Sequence, residues 1–243
     1  MTILLTRPLC DSIETSKILT NLKVENLILP FLKIKKIEYN FLNCIYADIL
    51  IFTSKNAARF FKHNLESFKK NPLIFSVGTE TKRILSEKGF PEVLNVDGDI
   101  NNLKKKIEPY LKNLKLVVHP TLADTNNELK LFFKKFSCNY TAIKCYETQP
   151  ILIDKVKFKK FMIDSGNIIT LYSSKTAKQF VKSIFKNKLE SYCKNKIFIT
   201  LSKNIANELE ELECYSIKIA KKPNQESMVK LILDSYSLEI RND

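Results

Sequence analysis

The sequence predicts an α/β protein with parallel sheets, because it contains what reads as two copies of one strand–helix unit. Residues 51–60 and residues 171–180 are similar, and each passes from an apolar run through two hydroxyl side chains into a helical pattern. A weaker pair follows in the same order, residues 75–85 and residues 199–209. Two matching pairs in one order indicate a duplication. The hydroxyl side chains fall where a strand passes into a helix, which is where open α/β sheets bind ligands.

Strands and helices are predicted to alternate along the whole chain. The predicted strands are residues 3–6, 26–30, 49–53, 73–77, 116–118, 141–146, 168–172, 197–201 and 217–220. Amphipathic patterns lie between most of them, for example over residues 56–68 and 174–185. In the first pattern Ala57, Phe60 and Phe61 follow the spacing of one helix face. This alternation predicts parallel sheets that are covered by helices on both faces.

Two segments indicate how the chain passes between domains. Residues 32–37 and residues 143–148 mix charged and apolar side chains, as crossing ribbons between two domains do. We therefore expect one discontinuous α/β domain and one continuous one. The expected boundaries are residues 1–31 plus 149–243 for the first domain, 35–147 for the second, and 32–34 with 146–149 for the linking ladder.

Composition narrows the class of protein. The chain has 243 residues, of which 44% are hydrophobic and 27% are charged, as in ordinary globular proteins. Its length suits one large domain or two smaller ones. No apolar run reaches the ~18 residues of a membrane helix, and residues 1–8 do not resemble a signal peptide. We expect a cytoplasmic protein that does not associate with membranes.

The sequence offers few residues for a metal site, for nucleophilic catalysis or for binding a nucleotide. The six cysteines are scattered without a CxxC pair, so we expect free and mostly buried thiols. Only two histidines occur, which leaves Ser-His-Asp and histidine–metal sites poorly supplied. His119 is interpreted as a loop histidine before Pro120, with a place facing a cleft as the alternative. The four glycines form neither GxGxxG nor a P-loop.

The net charge of +14 favours an anionic partner. Nucleic acid is one candidate, but RNP-like motifs, zinc fingers and a separate basic tail are missing from the sequence. Most lysines lie on predicted helix faces, where solvation alone explains them. A protein that binds a small molecule with many carboxylates would also need such an excess of positive charge.

Six short motifs occur in a fixed order along the chain. They are Thr6-Arg-Pro8, Phe52-Thr-Ser54, Val77-Gly-x-x-Thr81, Cys145-Tyr-Glu-Thr148, Tyr172-Ser-Ser174 and Ala220-x-x-Pro223. In this order and spacing the chain resembles the uroporphyrinogen-III synthase family over almost its whole length. The resemblance implies two flavodoxin-like α/β domains joined by a two-stranded antiparallel ladder, with a discontinuous first domain. That agrees with the two crossing segments.

The resemblance also implies a reaction. Members of the family are cyclising hydro-lyases of porphyrin and heme biosynthesis, which act in the cleft between the two domains. They convert hydroxymethylbilane, a linear tetrapyrrole, into uroporphyrinogen III with inversion of ring D and loss of water. The resemblance implies no cofactor and no metal, because oriented hydrogen-bond donors suffice for this chemistry. We expect a polycarboxylate small molecule as the partner, no nucleic acid, and a monomer.

By resemblance, Tyr146 is the residue that donates to the departing hydroxyl, or that only orients the bilane. Its phenol has an ordinary pKa near 10 and is protonated at neutral pH. The substrate-binding residues that the resemblance implies are Arg7, Ser54, Thr81 and Ser174, and Asn204 is counted with them as a substitute for a hydroxyl side chain of the family. The two serines sit at predicted helix N-caps and Thr81 begins the helix after Gly78. Each hydroxyl can hold a carboxylate or simply cap its helix.

Two departures from the family pattern keep other functions open. Ile205 stands where the family has a hydroxyl side chain, so Asn204 or Lys203 is the expected substitute. Residues 119–124 lack the glycine and basic residues that the family often has there. A non-catalytic two-domain protein that binds anions or tetrapyrroles is therefore an alternative. A basic nucleic-acid-associated protein is another, supported by net charge alone.

Overall fold

Two sheets form the fold, one in each of two units of the chain. The computed structural model describes residues 1–113, 115–122, 127–164, 168–214 and 216–240. Unit 1 comprises Met1–Lys33 and Gln149–Asp243, and unit 2 comprises Ile34–Thr148. Each unit carries its own hydrophobic core.

The described residues contain eleven strands and nine α-helices, besides four short 3-10 helices. The strands are β1 (Ile3–Leu5), β2 (Asn26–Ile28), β3 (Leu32–Lys36), β4 (Ile49–Phe52), β5 (Leu73–Val77), β6 (Val93–Val96), β7 (Leu116–Leu122), β8 (Asn139–Pro150), β9 (Ile168–Leu171), β10 (Ile197–Thr200) and β11 (Ser216–Ile219). The helices are α1 (Leu9–Asn21), α2 (Lys55–Phe60), α3 (Thr79–Glu87), α4 (Ile100–Ile107), α5 (Asn127–Lys134), α6 (Lys155–Ile163), α7 (Ser174–Asn187), α8 (Lys203–Asn207) and α9 (Gln225–Ile240).

The sheet of unit 1 has the strand order β2-β1-β9-β10-β11, and all its strand pairs are parallel. Successive side chains of a strand point to opposite faces, and both faces are apolar here. Leu4 and Phe198 pack on one face with Phe180 of α7. Ile3 packs on the other face with Met228 of α9. The sheet is therefore buried between two layers of helices.

The second sheet has the order β3-β8-β7-β4-β5-β6, and its pairs from β8 to β6 are parallel. All four residues of β4 are buried. Leu50 and Phe52 belong to the apolar cluster on one face, and Ile49 and Ile51 belong to the cluster on the other. The parallel, doubly covered α/β sheets that the sequence predicts are thus confirmed.

Each of the nine predicted strands overlaps an observed strand, but two observed strands were not among them. Strand β3 falls on the segment interpreted as a crossing ribbon. Strand β6 was missed because its burial does not alternate: Val93 and Val96 are buried, while Leu94 and Asn95 between them are half-buried. A short edge strand of this kind carries no period of two that sequence analysis can detect.

The predicted helix over residues 56–68 is wrong in its second half. Helix α2 ends at Phe60, and Phe61 adopts an extended conformation with ψ of 121°. The Phe61 ring lies 5.4 Å from the ring of Phe52, centroid to centroid, inside the core. The hydroxyl of Tyr39 accepts a hydrogen bond from the Lys62 N–H at 3.0 Å. Tertiary packing therefore overrides a helical spacing that the local sequence supports.

The interpretation of His119 as a loop residue is also wrong. It lies within β7 opposite Ala142 of β8, and it is 5% exposed. The strand continues through Pro120, which stands opposite Ile143. Since the register with β4 ends at Val118, the N–H that Pro120 lacks is not needed for that ladder.

Asp48 ties the beginning of β4 to the beginning of β7. One carboxylate oxygen accepts the N–H groups of Lys115 and Leu116, each at 2.9 Å. The other oxygen lies 2.9 Å from the Lys70 ammonium. Burial alone would raise the pKa of Asp48, but the Lys70 ammonium and the two N–H groups lower it below its ordinary value.

We predict that Asp48→Asn lowers the free energy of unfolding by about 1–3 kcal/mol at pH 7, since charged hydrogen bonds are lost. The pKa of Asp48 is depressed in the folded state, so its contribution is present above pH 3.8 and is lost as the pH falls through the folded pKa. Urea unfolding of both proteins across the acidic range measures the difference. Asp234→Asn, on the exposed side of α9, is the control. A difference that stays constant down to pH 2 would contradict the assignment.

Candidate active site

The connection from β4 to α2 lies at the point where the strand order of unit 2 reverses. Strand β4 is flanked by β5, which follows it in the chain, and by β7, which comes later. Open α/β sheets bind ligands beside the carboxyl ends of the strands at such a switch point. Thr53 and Ser54 follow β4 directly. The sequence duplication thus places its hydroxyl pair at the edge where a ligand site is expected.

Ser54 is the N-cap of α2, as the sequence predicts. Its backbone is extended and its Oγ accepts the N–H of Asn56 at 3.2 Å. A hydroxyl at this position satisfies one of the free N–H groups of the first turn. Capping therefore accounts for one hydrogen bond of the Ser54 hydroxyl.

A second hydrogen bond joins Ser54 to Tyr146. The Tyr146 phenol donates to Ser54 Oγ at 3.2 Å, although 92 residues separate them in the chain. The Tyr146 ring is 7% exposed and stacks on Phe60 with the ring centroids 6.0 Å apart. Burial raises the pKa of the Tyr146 phenol above its ordinary value, so the phenol keeps its proton at neutral pH. Two residues predicted for the site are therefore in direct contact.

A β-bulge in β8 directs Tyr146 toward α2. Thr121 stands opposite Lys144, but Leu122 stands opposite Tyr146, so Cys145 is an extra residue on β8. Consecutive residues of a regular strand point to opposite faces, yet Cys145 and Tyr146 both pack in the same apolar cluster. The bulge brings the phenol onto this face. No signal in the sequence indicated it.

Thr81 lies on the neighbouring strand–helix connection, but it does not begin the helix. Helix α3 starts at Thr79, and Gly78 is its N-cap with φ of +85°, which favours glycine. Thr81 is the third residue of the helix and is buried. Because β5 lies next to β4, the first turn of α3 is at the same edge of the sheet as Ser54.

In unit 1 the strand order reverses between β1 and β9, and Arg7 lies there. Its guanidinium carbon is 4.2 Å from the centroid of the Tyr172 ring, which follows β9. Arg7 Nη1 donates to Gln225 Oε1 at 2.6 Å, and Nη2 lies 3.3 Å from the Asp11 carboxylate. Stacking and ion pairing hold the guanidinium in place. The Arg7 guanidinium is therefore fixed in position, and part of its charge is balanced by Asp11.

The prediction that Ser174 caps α7 is wrong by one residue. Ser173 is the N-cap, and its Oγ accepts the Thr176 N–H at 3.2 Å. Ser174 is the first residue of the helix and is half-buried. Either serine of the pair suits a cap, so the local sequence does not distinguish them.

Asn204 lies in the first turn of α8 and is exposed, as is Lys203. Ile205 is buried and belongs to a core cluster of unit 1 that includes Phe180 and Phe198. Core packing thus gives Ile205 a role of its own. The loss of a hydroxyl at this position has a structural explanation.

Sequence analysis missed a second hydrogen-bond chain at the switch point of unit 2, with the buried His119 at its centre. His119 Nε2 lies 2.9 Å from Thr53 Oγ1, and His119 Nδ1 lies 2.6 Å from the Tyr140 hydroxyl. Burial lowers the pKa of His119 to about 4, so the ring is neutral at pH 7. The only indication in the sequence was that His119 follows a predicted strand.

The thiols and other candidate ligands are arranged as follows. All six cysteines are free; Cys44, Cys138, Cys145 and Cys193 are buried, and Cys10 is exposed. That confirms the expected free and mostly buried thiols.

Over the described ranges, no group of three or more His, Cys, Asp or Glu side chains is placed to hold a metal ion. The same residues include no helix long and apolar enough to cross a bilayer. Part of the segment 119–124, residues 123 and 124, lies outside the described residues.

Comparisons with known proteins show the family and the fold. A family model described as uroporphyrinogen-III synthase HemD matches residues 13–230. The fold is similar to that of a uroporphyrinogen-III synthetase from Helicobacter pylori, with a TM-score of 0.66, 16% identity, and coverage of 96% of this chain and 98% of that one. It is also similar to a mutant uroporphyrinogen III synthase from Thermus thermophilus, with a TM-score of 0.51, 12% identity, and coverage of 98% of this chain and 99% of that one. No curated protein matches the sequence.

We predict that the Ser54–Tyr146 hydrogen bond is measurable as a coupling in stability. Ser54→Ala should cost ~0.5–2 kcal/mol for the cap and about 1–3 kcal/mol more for the buried phenol left without an acceptor. Tyr146→Phe in the Ser54→Ala background should recover part of this loss, because no unpaired hydroxyl remains. Urea unfolding of the four proteins gives the coupling energy.

Asp99→Ala, which removes the N-cap of α4, is the matched control and should lose the capping contribution alone, since the Asp99 side chain accepts the Asn101 and Asn102 N–H groups of the first turn. If Tyr146→Phe changes stability equally with and without Ser54, the hydrogen bond contributes nothing and the site is looser than its geometry indicates.

Proposed function

We propose a reaction for this chain from the premise that it belongs to the uroporphyrinogen-III synthase family. It cyclises hydroxymethylbilane to uroporphyrinogen III, inverting ring D and releasing water. The observation that carries the assignment to residues is the contact between Tyr146 and Ser54. Both come from motifs that resemble those of the family, and both lie at the ligand-binding edge of one sheet.

Tyr146 donates a hydrogen bond to the departing hydroxyl of the bilane in this proposal. Its phenol is buried and holds its proton tightly, because burial raises its pKa. A donor of this kind stabilises the charge that develops on the leaving oxygen and keeps its own proton. The leaving hydroxide becomes water with the proton that the attacking pyrrole ring releases on ring closure. The phenol already points to Ser54 Oγ, so the substrate hydroxyl replaces or joins an acceptor that is in place. Tyr146 is therefore a hydrogen-bond donor rather than a strong acid.

The substrate carboxylates are held by hydroxyl groups, helix N-termini and cations. Thr81 is in the first turn of α3, and Ser174 is in the first turn of α7. The partial positive charge of a helix N-terminus favours an anion there. Arg7 adds a fixed guanidinium, and Asn204 an exposed amide in the first turn of α8. The net charge of +14 raises the local concentration of a polyanionic substrate.

The non-catalytic alternative loses its main argument. It rested on Ile205, which stands where the family has a hydroxyl side chain. Since Ile205 packs in the core of unit 1, the substitution is explained by burial rather than by loss of activity. The nucleic-acid alternative rests on charge alone.

We also propose that β3 and β8 form an antiparallel ladder linking the two domains, with residues 32–34 and 146–149 as the linkers. The two strands are hydrogen-bonded neighbours. Ile37 N donates to Cys145 O, and Ile151 N donates to Phe31 O. Residue numbers rise on one side while they fall on the other, as in antiparallel pairs.

The flavodoxin-like description suits unit 1 better than unit 2. Numbered within its own unit, the first sheet has the order 2-1-3-4-5, which is that of flavodoxin. The five parallel strands of the second sheet have the order 3-2-1-4-5, which begins the dinucleotide-binding fold. We therefore limit the flavodoxin-like proposal to unit 1.

Two further proposals concern the setting of the reaction. Six free thiols support a reducing compartment, and we place the activity in the cytoplasm. We propose a monomer that needs no cofactor, from the resemblance to the family. The reaction itself, loss of water and ring closure, involves no net oxidation.

We predict that the protein, added to freshly generated hydroxymethylbilane, yields mainly uroporphyrinogen III. Without control of ring D the bilane closes spontaneously to the symmetric isomer I. Isomer-resolved chromatography after oxidation measures the ratio of the two products. A reaction without protein, and one with an unrelated basic protein, are the controls and should give isomer I. Isomer I alone from folded protein at ample concentration would refute catalysis and favour the anion-binding alternative.

Tyr146→Phe should lower kcat by about 10- to 100-fold while the protein stays folded. The loss of one oriented hydrogen-bond donor typically lowers kcat by ~10²–10³-fold. We expect a smaller loss here because water can replace the phenol in part. The matched control is Tyr39→Phe, since Tyr39 is another tyrosine of unit 2 whose hydroxyl contacts the Lys62 backbone. Its kcat should stay near that of the wild type. Full activity of Tyr146→Phe would remove the donor role and leave the family assignment intact.

A further inference from the structure

Three side chains from separate strands form a hydrogen-bonded series that ends beside Ser54. Tyr140 lies on β8, His119 on β7, and Thr53 directly after β4. The Tyr140 hydroxyl is 2.6 Å from His119 Nδ1, and His119 Nε2 is 2.9 Å from Thr53 Oγ1. The Tyr140 ring stacks on Phe133 at 5.6 Å between centroids, nearly parallel at 10°. The series is therefore anchored in the core at its far end.

We propose that His119 is a positioning residue of the active site, which holds Thr53 and through it the adjacent Ser54. The inference rests on the proposed function, because the site that it supports is the one assigned to Tyr146 and Ser54. It adds Thr53, His119 and Tyr140 to the residues on which the reaction depends.

The direction of donation follows from the chemistry of the three groups. Burial raises the pKa of Tyr140 to about 12, so its phenol keeps its proton. Within the described part of the chain, His119 Nδ1 is the acceptor that the phenol reaches. Tyr140 therefore donates to Nδ1, and the neutral imidazole carries its own proton on Nε2. That proton goes to Thr53 Oγ1, so the hydroxyl hydrogen of Thr53 points away from the histidine.

The geometry shows why this matters for the site. Consecutive residues of an extended chain point to opposite faces. Thr53 and Ser54 follow β4 directly, and the Ser54 backbone is extended. His119 holds Thr53 on the face where Tyr140 packs, and Tyr146 holds Ser54 on the other face. The two-residue connection is thus clamped from both faces of the sheet at its switch point. A small misplacement of an active-site group can cost ~10²-fold in rate, so such a clamp has functional value.

Two conservative variants test the proposal. Tyr140→Phe keeps the stack on Phe133 and removes the first donor, and Thr53→Val keeps the shape of Thr53 and removes the last acceptor. We expect each to lower kcat about tenfold with KM changed less than about twofold, because orientation rather than binding is lost. Thr53→Ser, which restores the hydroxyl, should recover most of kcat. The double variant should lose no more than the single ones, since both interrupt one series.

Val117→Ala is the control for loosened packing. Val117 is buried on the same strand as His119, two residues earlier, and contributes no polar group. It should lower the melting temperature without changing kcat of the folded protein. If Tyr140→Phe and Thr53→Val behave in the same way, the series is merely structural and the proposal is overturned.

A second measurement does not depend on activity. The chain has two histidines, so ¹⁵N-labelled histidine gives two pairs of ring-nitrogen signals, and His63→Asn identifies the pair from His119. We expect a neutral ring at pH 7 with the proton on Nε2, and a loss of this preference in Tyr140→Phe. A proton on Nδ1, or a charged ring, would overturn the direction of donation. If the wild type yields no uroporphyrinogen III, the proposed function fails. If the wild type yields it and the Tyr140→Phe and Thr53→Val variants keep the full kcat, the positioning role alone fails.

Discussion

Burial of the central strands on both faces is the constraint on which the rest of the structure depends. All four residues of β4, of β9 and of β10 are buried. A parallel sheet covered by helices leaves no exposed face along these strands for a polar functional group. Polar side chains from β4, β9 and β10 that serve a ligand must therefore lie just beyond the ends of these strands. Both hydroxyl pairs of the sequence duplication lie there, one in each unit.

Helix α2 is short, yet contacts at both of its ends and on its side hold it beside the site residues Ser54 and Tyr146. With six residues it is too short to be stable by itself. Ser54 caps its beginning, and the Lys88 ammonium donates to the Arg59 and Phe61 carbonyls at its end, at 2.7 and 2.6 Å. The Phe60 ring stacks on Tyr146. The same contacts that stabilise the helix fix the hydroxyl and the phenol of the site, so stability and function are coupled here.

Periodicity and duplication made the parallel sheets predictable, because burial on two faces produces long apolar runs that end at hydroxyl pairs. Contacts between distant residues were not predictable in this way. The end of α2 at Phe60 depends on the Phe61 ring entering the core, and the place of His119 depends on β7 continuing through Pro120. The choice between Ser173 and Ser174 as a cap depends on where the first turn closes. In each case the local sequence permits two conformations, and a partner far along the chain selects one.

At the bulge in β8, the site depends on the presence of a residue at position 145 more than on the type of that residue. Cys145 contributes a buried side chain that several small apolar residues could replace, and its thiol is inert because burial raises its pKa to about 11. Because Cys145 is an extra residue in β8, Tyr146 stands opposite Leu122 of β7. Deleting one residue between Tyr140 and Tyr146 would turn one of the two phenols to the wrong side of the sheet. Insertions and deletions in this segment are therefore far less tolerable than substitutions.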